Sequence, residues 1–331
     1  MPTSSGDLSS WIGFNAVVLL LVALDLGVFH RRSRAMNMRE ATLWSVFWIA
    51  LALGFNGFVW WTLGAAKAQE FLLGYVMEKS LSVDNLFVFV LIFNYFVVPP
   101  SHQRRVLSLG ILGALVMRAT FIGMGAALLE RFHWMDLLFG GFLVYTGIRM
   151  LRSDDEEEVK LADNAVVRLF RRMFAMTDDY RERRFLVREA GKWLATPLLL
   201  VLVVVETSDV VFAVDSIPAI FGVTRDPYIV YTSNVCAILG LRALYFLLAG
   251  MITQFRFLKL GISVVLVFIG AKMLIGDETF PWRYQIEPAT SLLVVCSILS
   301  VTILGSVMIP IRTEPRDPPP SPPPHGGDSS V

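Results

Sequence analysis

Hydrophobic residues occur in long blocks along this chain, separated by short polar segments. A helix needs about 20 apolar residues to cross the hydrocarbon core of a bilayer, and each block reaches that length. The pattern predicts an all-α, polytopic transmembrane helical bundle with about nine spans. The predicted spans are residues 11–29, 41–64, 69–98, 106–130, 133–151, 195–222, 228–251, 256–275 and 288–311.

Composition supports a membrane protein. Hydrophobic residues make up 55% of the 331 residues and charged residues only 17%, against about 25% charged in an average soluble protein. The two cysteines lie inside predicted spans and form neither a disulfide framework nor a metal-ligand spacing. Since no nucleophile and base, phosphate-binding loop or zincin helix is present, we expect no enzymatic activity, intramembrane hydrolysis included. We also expect no nucleic-acid partner.

Positive charges are concentrated in alternate connections between the predicted spans. Most Lys and Arg residues fall on one side of the membrane if the N-terminal residues 1–10 lie outside. Cytoplasmic segments carry the excess of Lys and Arg in multi-pass proteins. The predicted topology therefore has the N-terminus outside and the C-terminus in the cytoplasm.

The chain contains an internal repeat. Residues 131–151 align with residues 254–274, and the pair Val83-Asp84 aligns with Val214-Asp215 further upstream. Each copy has three spans, so the second copy enters the membrane from the side where the first left it. A 3+3 inverted repeat of this kind is typical of transporters.

The remaining parts of the chain flank these repeats. Spans 11–64 and 288–311 are predicted to be peripheral to repeat 1 (69–151) and repeat 2 (195–275). The segment 152–194 combines an acidic run with a basic amphipathic stretch, which predicts a charged cytoplasmic link with a short helix on the inner leaflet. The Pro-rich residues 312–331 have no core-forming pattern and are expected to be a disordered cytoplasmic tail.

Five acidic residues lie within the predicted spans, and they are the strongest indication of function. A carboxylate at bilayer depth is costly and is kept mainly where it is paired, lines a wet cavity or binds an ion. The five are Glu78, Asp84, Glu206, Asp209 and Asp215.

The spacing of these acids predicts how they are arranged. Two side chains six positions apart on a straight helix point in directions that differ by about 120°. Neither Glu78 with Asp84 nor Asp209 with Asp215 can therefore share one narrow face. Either the spans are broken near these residues, for which Pro218 is a candidate position, or the acids fan into a central cavity.

The ligand types indicate a class of metal. Carboxylates, the amide of Asn85 and the hydroxyl of Ser216 are hard oxygen ligands that suit Mg²⁺, Ca²⁺ or Mn²⁺. Arg118 and Arg242, also within spans, are interpreted as counter-ions of the empty site. Asp25, near the end of the first span, is either an interfacial residue or a gate ligand.

An alternative interpretation assigns the acids a structural role. They would pair with Arg118, Arg242 and Lys79 and hold the bundle together. This accounts for three acids at most, and buried ion pairs are often no more stabilising than apolar replacements.

Two segments resemble the TerC family of bacterial integral membrane proteins: residues 78–87 (EKSLSVDNLF) and 206–219 (ETSDVVFAVDSIPA). The resemblance implies a multi-pass inner-membrane protein of the LysE-type transporter group, which includes Alx-like manganese exporters and proteins linked to tellurium resistance. It also implies a role in manganese export for Glu78, Asp84, Glu206, Asp209 and Asp215.

Together these observations predict an exporter of a divalent cation, most simply Mn²⁺. The cation is the substrate, and no permanently bound cofactor is expected. Because clustered carboxylates repel one another, some can hold protons when no ion is bound, which makes a proton gradient a candidate driving force. The alternative function is a membrane scaffold that senses metal and is linked to tellurium or metal stress.

Overall fold

The structure is a computed structural model that describes residues 5–30, 37–132, 134–152, 165–181, 184–189, 191–249, 257–276 and 286–308. These residues are mainly helical, as the apolar blocks predict. In chain order the elements are α1 (Leu8–His30), α2 (Met38–Leu63), α3 (Ala65–Tyr95), α4 (Pro100–Arg131), α5 (Met135–Arg152), α6 (Ala165–Met173), β1 (Leu186–Glu189), β2 (Lys192–Ala195), α7 (Pro197–Phe221), α8 (Pro227–Ile238), α9 (Leu241–Ala249), α10 (Leu258–Gly276) and α11 (Pro288–Met308).

Six of the described helices are long and apolar enough to cross a membrane, namely α1, α2, α4, α7, α10 and α11. The pair α8 and α9, bent by 44° at a short break, adds a seventh if it is one span. The two other predicted spans, α3 and α5, form helices that carry more charge. The transmembrane helical class is therefore confirmed, whereas the number nine remains a prediction.

Helix α3 is surrounded by other helices, which explains why it can carry charged residues. It packs against α2, α7, α8 and α11. Its apolar side chains Phe71, Leu73, Ile92 and Phe93 are almost completely buried. Charged groups on α3 can therefore face protein partners and avoid lipid.

Helices α5 and α10 pack closely and run antiparallel. A Cβ on Gly140 would lie 3.1 Å from the carbonyl oxygen of Gly270, and a Cβ on Gly147 would lie 2.8 Å from that of Ser263. Small residues allow this backbone approach, as in many membrane helix pairs. From the first contact to the second, the residue number rises from 140 to 147 along α5 and falls from 270 to 263 along α10. The two helices are therefore antiparallel.

The connection between α5 and α7 contains more structure than the sequence indicated. Helix α6 forms within the amphipathic stretch and packs the buried Val167 and Phe170 against the bundle, while Leu169 and Met173 are exposed. A hairpin of β1 and β2 follows, with a turn at Gly191 (φ +81°). The tail 312–331 lies outside the described residues.

Candidate metal site

Polar side chains from four helices meet in the middle of the bundle. Glu78 comes from α3, Arg118 from α4, Ser216 from α7 and Asn234 from α8. All four are buried, with at most 6% of each residue exposed. A buried cluster of this kind is stable only when its members satisfy one another.

Glu78 and Arg118 form a bidentate ion pair. The two guanidinium nitrogens of Arg118 lie 2.7 Å from Oε1 and 2.8 Å from Oε2 of Glu78. Two parallel charge-assisted hydrogen bonds are the strongest form of this pairing. In this conformation Glu78 is engaged by an arginine.

Further donors and acceptors complete this pair. Arg118 Nη1 donates to the hydroxyl of Ser216 at 2.7 Å, and Asn234 Nδ2 donates to Oε2 of Glu78 at 3.0 Å. Asn234 was missed in the sequence analysis, although an amide inside an apolar span is itself a signal. We call Glu78, Arg118, Ser216 and Asn234 the paired cluster.

Asp209 lies in a different environment. Its side chain lines a cavity of about 20 Å³ together with Asn85, Ser82 and Arg118. Such a volume holds one water molecule or a small ion. Within the described residues the carboxylate of Asp209 has no hydrogen-bond or ion-pair partner.

Glu206 precedes Asp209 by three residues on α7 and faces α4. A Cβ on Gly110 would lie 3.7 Å from Oε1 of Glu206, and a Cβ on Gly113 would overlap the same carboxylate. Glycine at position 113 therefore provides the space that Glu206 occupies. The charge of Glu206 also acts on Asp209, so the two acids belong to one electrostatic group.

The helix break next to the cavity lies at a different position from the one considered above. Helix α7 runs through Pro218 to Phe221 without interruption, and the chain breaks instead between α8 and α9, where Gly240 has φ +85°. Ile238 and Leu241, on either side of this break, line the cavity of Asp209. Pro218 therefore does not break α7.

The end of α8 is held by a partly buried lysine. Lys79 Nζ donates to the carbonyl oxygen of Ala237 at 3.1 Å. The last carbonyls of a helix lack partners within the helix, so Lys79 stabilises the break. It does so from the helix that also carries Glu78.

Arg242 contacts side chains of α1 and α4. It forms an ion pair with Asp25 of α1, and its Nη1 donates to the hydroxyl of Ser108 at 3.0 Å. The side chain of Asp25 is only 15% exposed. Asp25 is therefore mostly covered by protein and is held by Arg242.

Another polar network lies at the opposite end of the bundle, where α7 connects to α8. Lys67 Nζ is 2.9 Å from Glu70 and 3.2 Å from Asp226, and the hydroxyl of Thr224 donates to Glu70 at 2.6 Å. The backbone N–H of Tyr228 donates to Asp226, which caps α8. The sequence pattern did not predict this network.

The predicted ligands Asp84 and Asp215 lie in α3 and α7, but their side chains are outside the described part of the chain. Among the side chains that the structure describes, no three His, Cys, Asp or Glu residues form a group that could hold a metal ion. The full ligand set thus stays a prediction. The structure brings Asp209 and Asn85 to one cavity and places Glu78 and Ser216 in the paired cluster.

Comparison with known proteins decides the family. The integral membrane protein TerC family matches residues 63–314. The chain belongs to the TerC family.

Three relatives illustrate the range of names within this family. The chain is 49% identical over 311 residues to Alx of Escherichia coli K12, named as a membrane-bound redox modulator, with 91% of this chain and 95% of that protein covered. It is 47% identical over 305 residues to an uncharacterized membrane protein of Myxococcus xanthus (92% and 94% covered). It is 38% identical over 341 residues to the tellurium resistance protein TerC of Serratia marcescens (93% and 99% covered). No solved structure matches the chain.

The TerC match begins at the end of α2 and therefore includes every helix of the candidate site. Helix α1 and nearly all of α2 lie before it. The partner of Arg242, Asp25, is thus supplied by a helix outside the matched region.

Proposed function

We propose that this TerC-family protein exports a divalent cation, Mn²⁺, from the cytoplasm, with the metal as its substrate. One observation carries the proposal: the carboxylate of Asp209 faces a small cavity in the middle of the bundle, and among the described residues it forms no hydrogen bond or ion pair. An unpaired carboxylate at this depth is retained mainly where it serves an ion. The cavity also contains the amide of Asn85, a hard oxygen ligand.

The proposed ligand set extends the described cavity with the acids of the two motifs. Asp209 and Asn85 line the cavity, and Glu206 is close enough to add its charge. Asp84 and Asp215 are proposed to complete the coordination. Glu78 and Ser216 become available when Arg118 moves, so Arg118 acts as the internal counter-ion of the empty site.

Two reciprocal contacts support an inverted repeat. In the alignment of residues 131–151 with 254–274, Gly140 corresponds to Ser263 and Gly147 to Gly270. The contact of Gly140 with Gly270 therefore corresponds to the contact of Ser263 with Gly147. Reciprocity of this kind is the signature of a two-fold axis. Because α5 and α10 are antiparallel, the proposed axis runs across them, as an inverted repeat requires.

Networks on opposite sides of the cavity fit alternating access. Lys67, Glu70 and Asp226 lie at the end that holds the α7–α8 connection, and Arg242, Asp25 and Ser108 lie towards the end that holds the α3–α4 connection. Opening one network at a time would expose the cavity to one side. The break at Gly240 provides a position for bending.

Proton coupling follows from the same acids. Carboxylates must lose their protons to bind a metal, so metal binding releases protons. We propose that export moves Mn²⁺ against protons. The test is Mn²⁺ flux in proteoliposomes with and without an imposed pH gradient; flux that neither responds to the gradient nor changes internal pH contradicts the coupling.

The proposed location is the bacterial inner membrane, with the N-terminus outside and the C-terminus in the cytoplasm. The basic residues Arg168, Arg171 and Arg172 of α6 then lie on the cytoplasmic side, as the positive-inside rule requires. Reporter fusions at residue 152 and at the C-terminus test this orientation.

The decisive experiment is reconstituted flux of Mn²⁺ and Ca²⁺ for the wild type beside Asp84→Asn and Asp215→Asn. Each substitution removes a charge and preserves side-chain volume. We expect near-complete loss of transport with normal membrane insertion, measured by protein content in the liposomes. Retained flux in both variants would contradict the proposed site.

A second candidate function is a metal-sensing membrane scaffold linked to tellurium or metal stress. The observation that favours it is the segment of α6 and the hairpin, where Leu169 is 59% and Trp193 is 67% exposed beside basic residues. Such a surface suits a partner protein. A scaffold gives no Mn²⁺ flux in liposomes, which separates the two functions.

A further inference from the structure

A second and much larger cavity lies between α1, α2 and α8. Its volume is about 650 Å³, within the range of sites that hold small organic ligands. Helix α1 reaches its neighbours mainly through large side chains: the rings of Phe14 and Phe55 are 5.1 Å apart, and those of Trp11 and Tyr228 are 5.4 Å apart. Between these contacts the helices leave an apolar gap.

The cavity has a polar end and an apolar end. Ser9 and Ser10, at the start of α1, line one end, and Leu21 and Trp48 line the other. The distance from Ser9 to Leu21 along α1 is about 18 Å at 1.5 Å per residue. This is close to half of the hydrocarbon thickness of roughly 30 Å, that is, to the depth of one leaflet.

Glycines keep this space open. Gly13 on α1 and Gly54 on α2 line the cavity, and a Cβ on either would meet no atom within 4 Å. Helices α1 and α2 both qualify as membrane spans, so the gap lies at hydrocarbon depth. An apolar gap there loses dispersion contacts unless an apolar molecule fills it.

We propose that this cavity binds one acyl chain of a membrane lipid, with the ester end near Ser9 and Ser10 and the methyl end near Trp48. The polar and apolar ends match the polarity of an acyl chain attached to a headgroup, and the length matches one leaflet. The methyl end contacts Trp48, whose ring packs over Gly240 at the break between α8 and α9: a Cβ on Gly240 would lie 2.6 Å from Cγ of Trp48. The bound chain therefore supports the helix break from the lipid side.

The test uses proteoliposomes of phosphatidylethanolamine and phosphatidylglycerol that contain a tracer phosphatidylcholine with a diazirine in one acyl chain. After photolysis, labelled residues are located by mass spectrometry of peptides. A diazirine near the ester should label the neighbourhood of Ser9 and Ser10, and one near the methyl end should label that of Leu21 and Trp48. This measurement needs only the wild-type protein.

Filling the cavity provides the matched comparison. The double variant Gly13→Leu with Gly54→Leu should lower labelling of the cavity residues by about tenfold, because two leucine side chains displace CH₂ groups of the acyl chain from the cavity. The control variant Gly27→Leu with Gly57→Leu changes glycines of the same two helices that also face open space but do not line the cavity. It should leave labelling unchanged.

Two outcomes would overturn the proposal. One is wild-type labelling spread evenly over lipid-facing side chains such as Leu43 and Trp60, with no dependence on diazirine position. The other is disulfide formation between two copies of the chain that each carry a cysteine in place of Gly54, with an added oxidant such as copper phenanthroline, which would show that a second protein molecule fills the gap.

Discussion

Glu78 and Asp209 occupy corresponding positions in the two aligned motifs, six residues before Asp84 and Asp215, yet their surroundings differ. Glu78 accepts hydrogen bonds from Arg118 and Asn234 and is 1% exposed. Asp209 faces a cavity and has no partner among the described residues. The two motifs thus supply a hydrogen-bonded carboxylate in one half and a carboxylate that faces a cavity in the other.

The difference arises from the arginines. Arg118 reaches Glu78 and Ser216, whereas the corresponding Arg242 turns to Asp25 on α1. Helix α1, which lies outside the aligned repeats, supplies the carboxylate that pairs with Arg242. A helix outside the repeats thus gives one of two corresponding arginines a different partner from the other.

The largest expected effect follows from breaking the paired cluster. Arg118→Met leaves Glu78 buried without its partner, which should lower the free energy of unfolding by about 3–5 kcal/mol. The double variant Glu78→Met with Arg118→Met removes both charges and should regain most of that loss. Unfolding by denaturant in detergent measures both. An equal loss in the single and double variants would contradict the paired role.

For Asp209, which faces the cavity, we expect a small effect on stability and a large effect on Mn²⁺ binding. Asp209→Asn removes a charge without breaking an ion pair and should change the free energy of unfolding by less than about 1 kcal/mol. It should lower Mn²⁺ affinity by at least 10- to 100-fold, the cost of altering even a supporting group of a metal site. Titration calorimetry measures the affinity, and Asp178→Asn, at an exposed acid, is the control.

Ser216 and Asn85 provide a matched pair, since they follow the aligned aspartates Asp215 and Asp84. Ser216→Ala removes a hydrogen bond from Arg118 and should cost about 1.5 kcal/mol of stability, the low end for a bond to a charged group. Asn85→Ala should leave stability within about 0.5 kcal/mol and weaken Mn²⁺ binding. Similar stability losses in both variants would contradict the distinction between the paired cluster, which contains Ser216, and the cavity, which Asn85 lines.

The smallest expected effect concerns Asp25. Asp25→Asn weakens the hold on Arg242, so the side of the bundle near Ser108 should open more often. An Ala114→Cys reporter in the cavity, with Cys236 and Cys296 replaced by alanine, should then react about fivefold faster with a water-soluble maleimide, the equivalent of about one ordinary hydrogen bond. An unchanged rate would show that the pair does not limit access.

The sequence was sufficient for the helical membrane class and for the family, because apolar block lengths and the two acidic motifs are local features. It placed Asp209 and Asn85 among the ligands, and both line one cavity. It did not predict that Asn234 contacts Glu78 or that Arg242 pairs with Asp25, because such contacts depend on which helix faces which.

The position of the helix break also escaped prediction. Pro218 suggested a break in α7, yet α7 continues through this proline to Phe221 and loses only the one backbone hydrogen bond that proline cannot donate. The break occurs at Gly240, whose positive φ a glycine adopts without strain. The hairpin of β1 and β2 was missed because its strands are only four residues long.

The most direct test of the central claim is Mn²⁺ binding followed by electron paramagnetic resonance, in which the free-ion signal disappears when the metal is bound. We predict that the purified wild type binds Mn²⁺ at one site, that Asp209→Asn abolishes this binding, and that Asp178→Asn does not. Equal binding by the wild type and Asp209→Asn, or no binding by the wild type, would contradict the account.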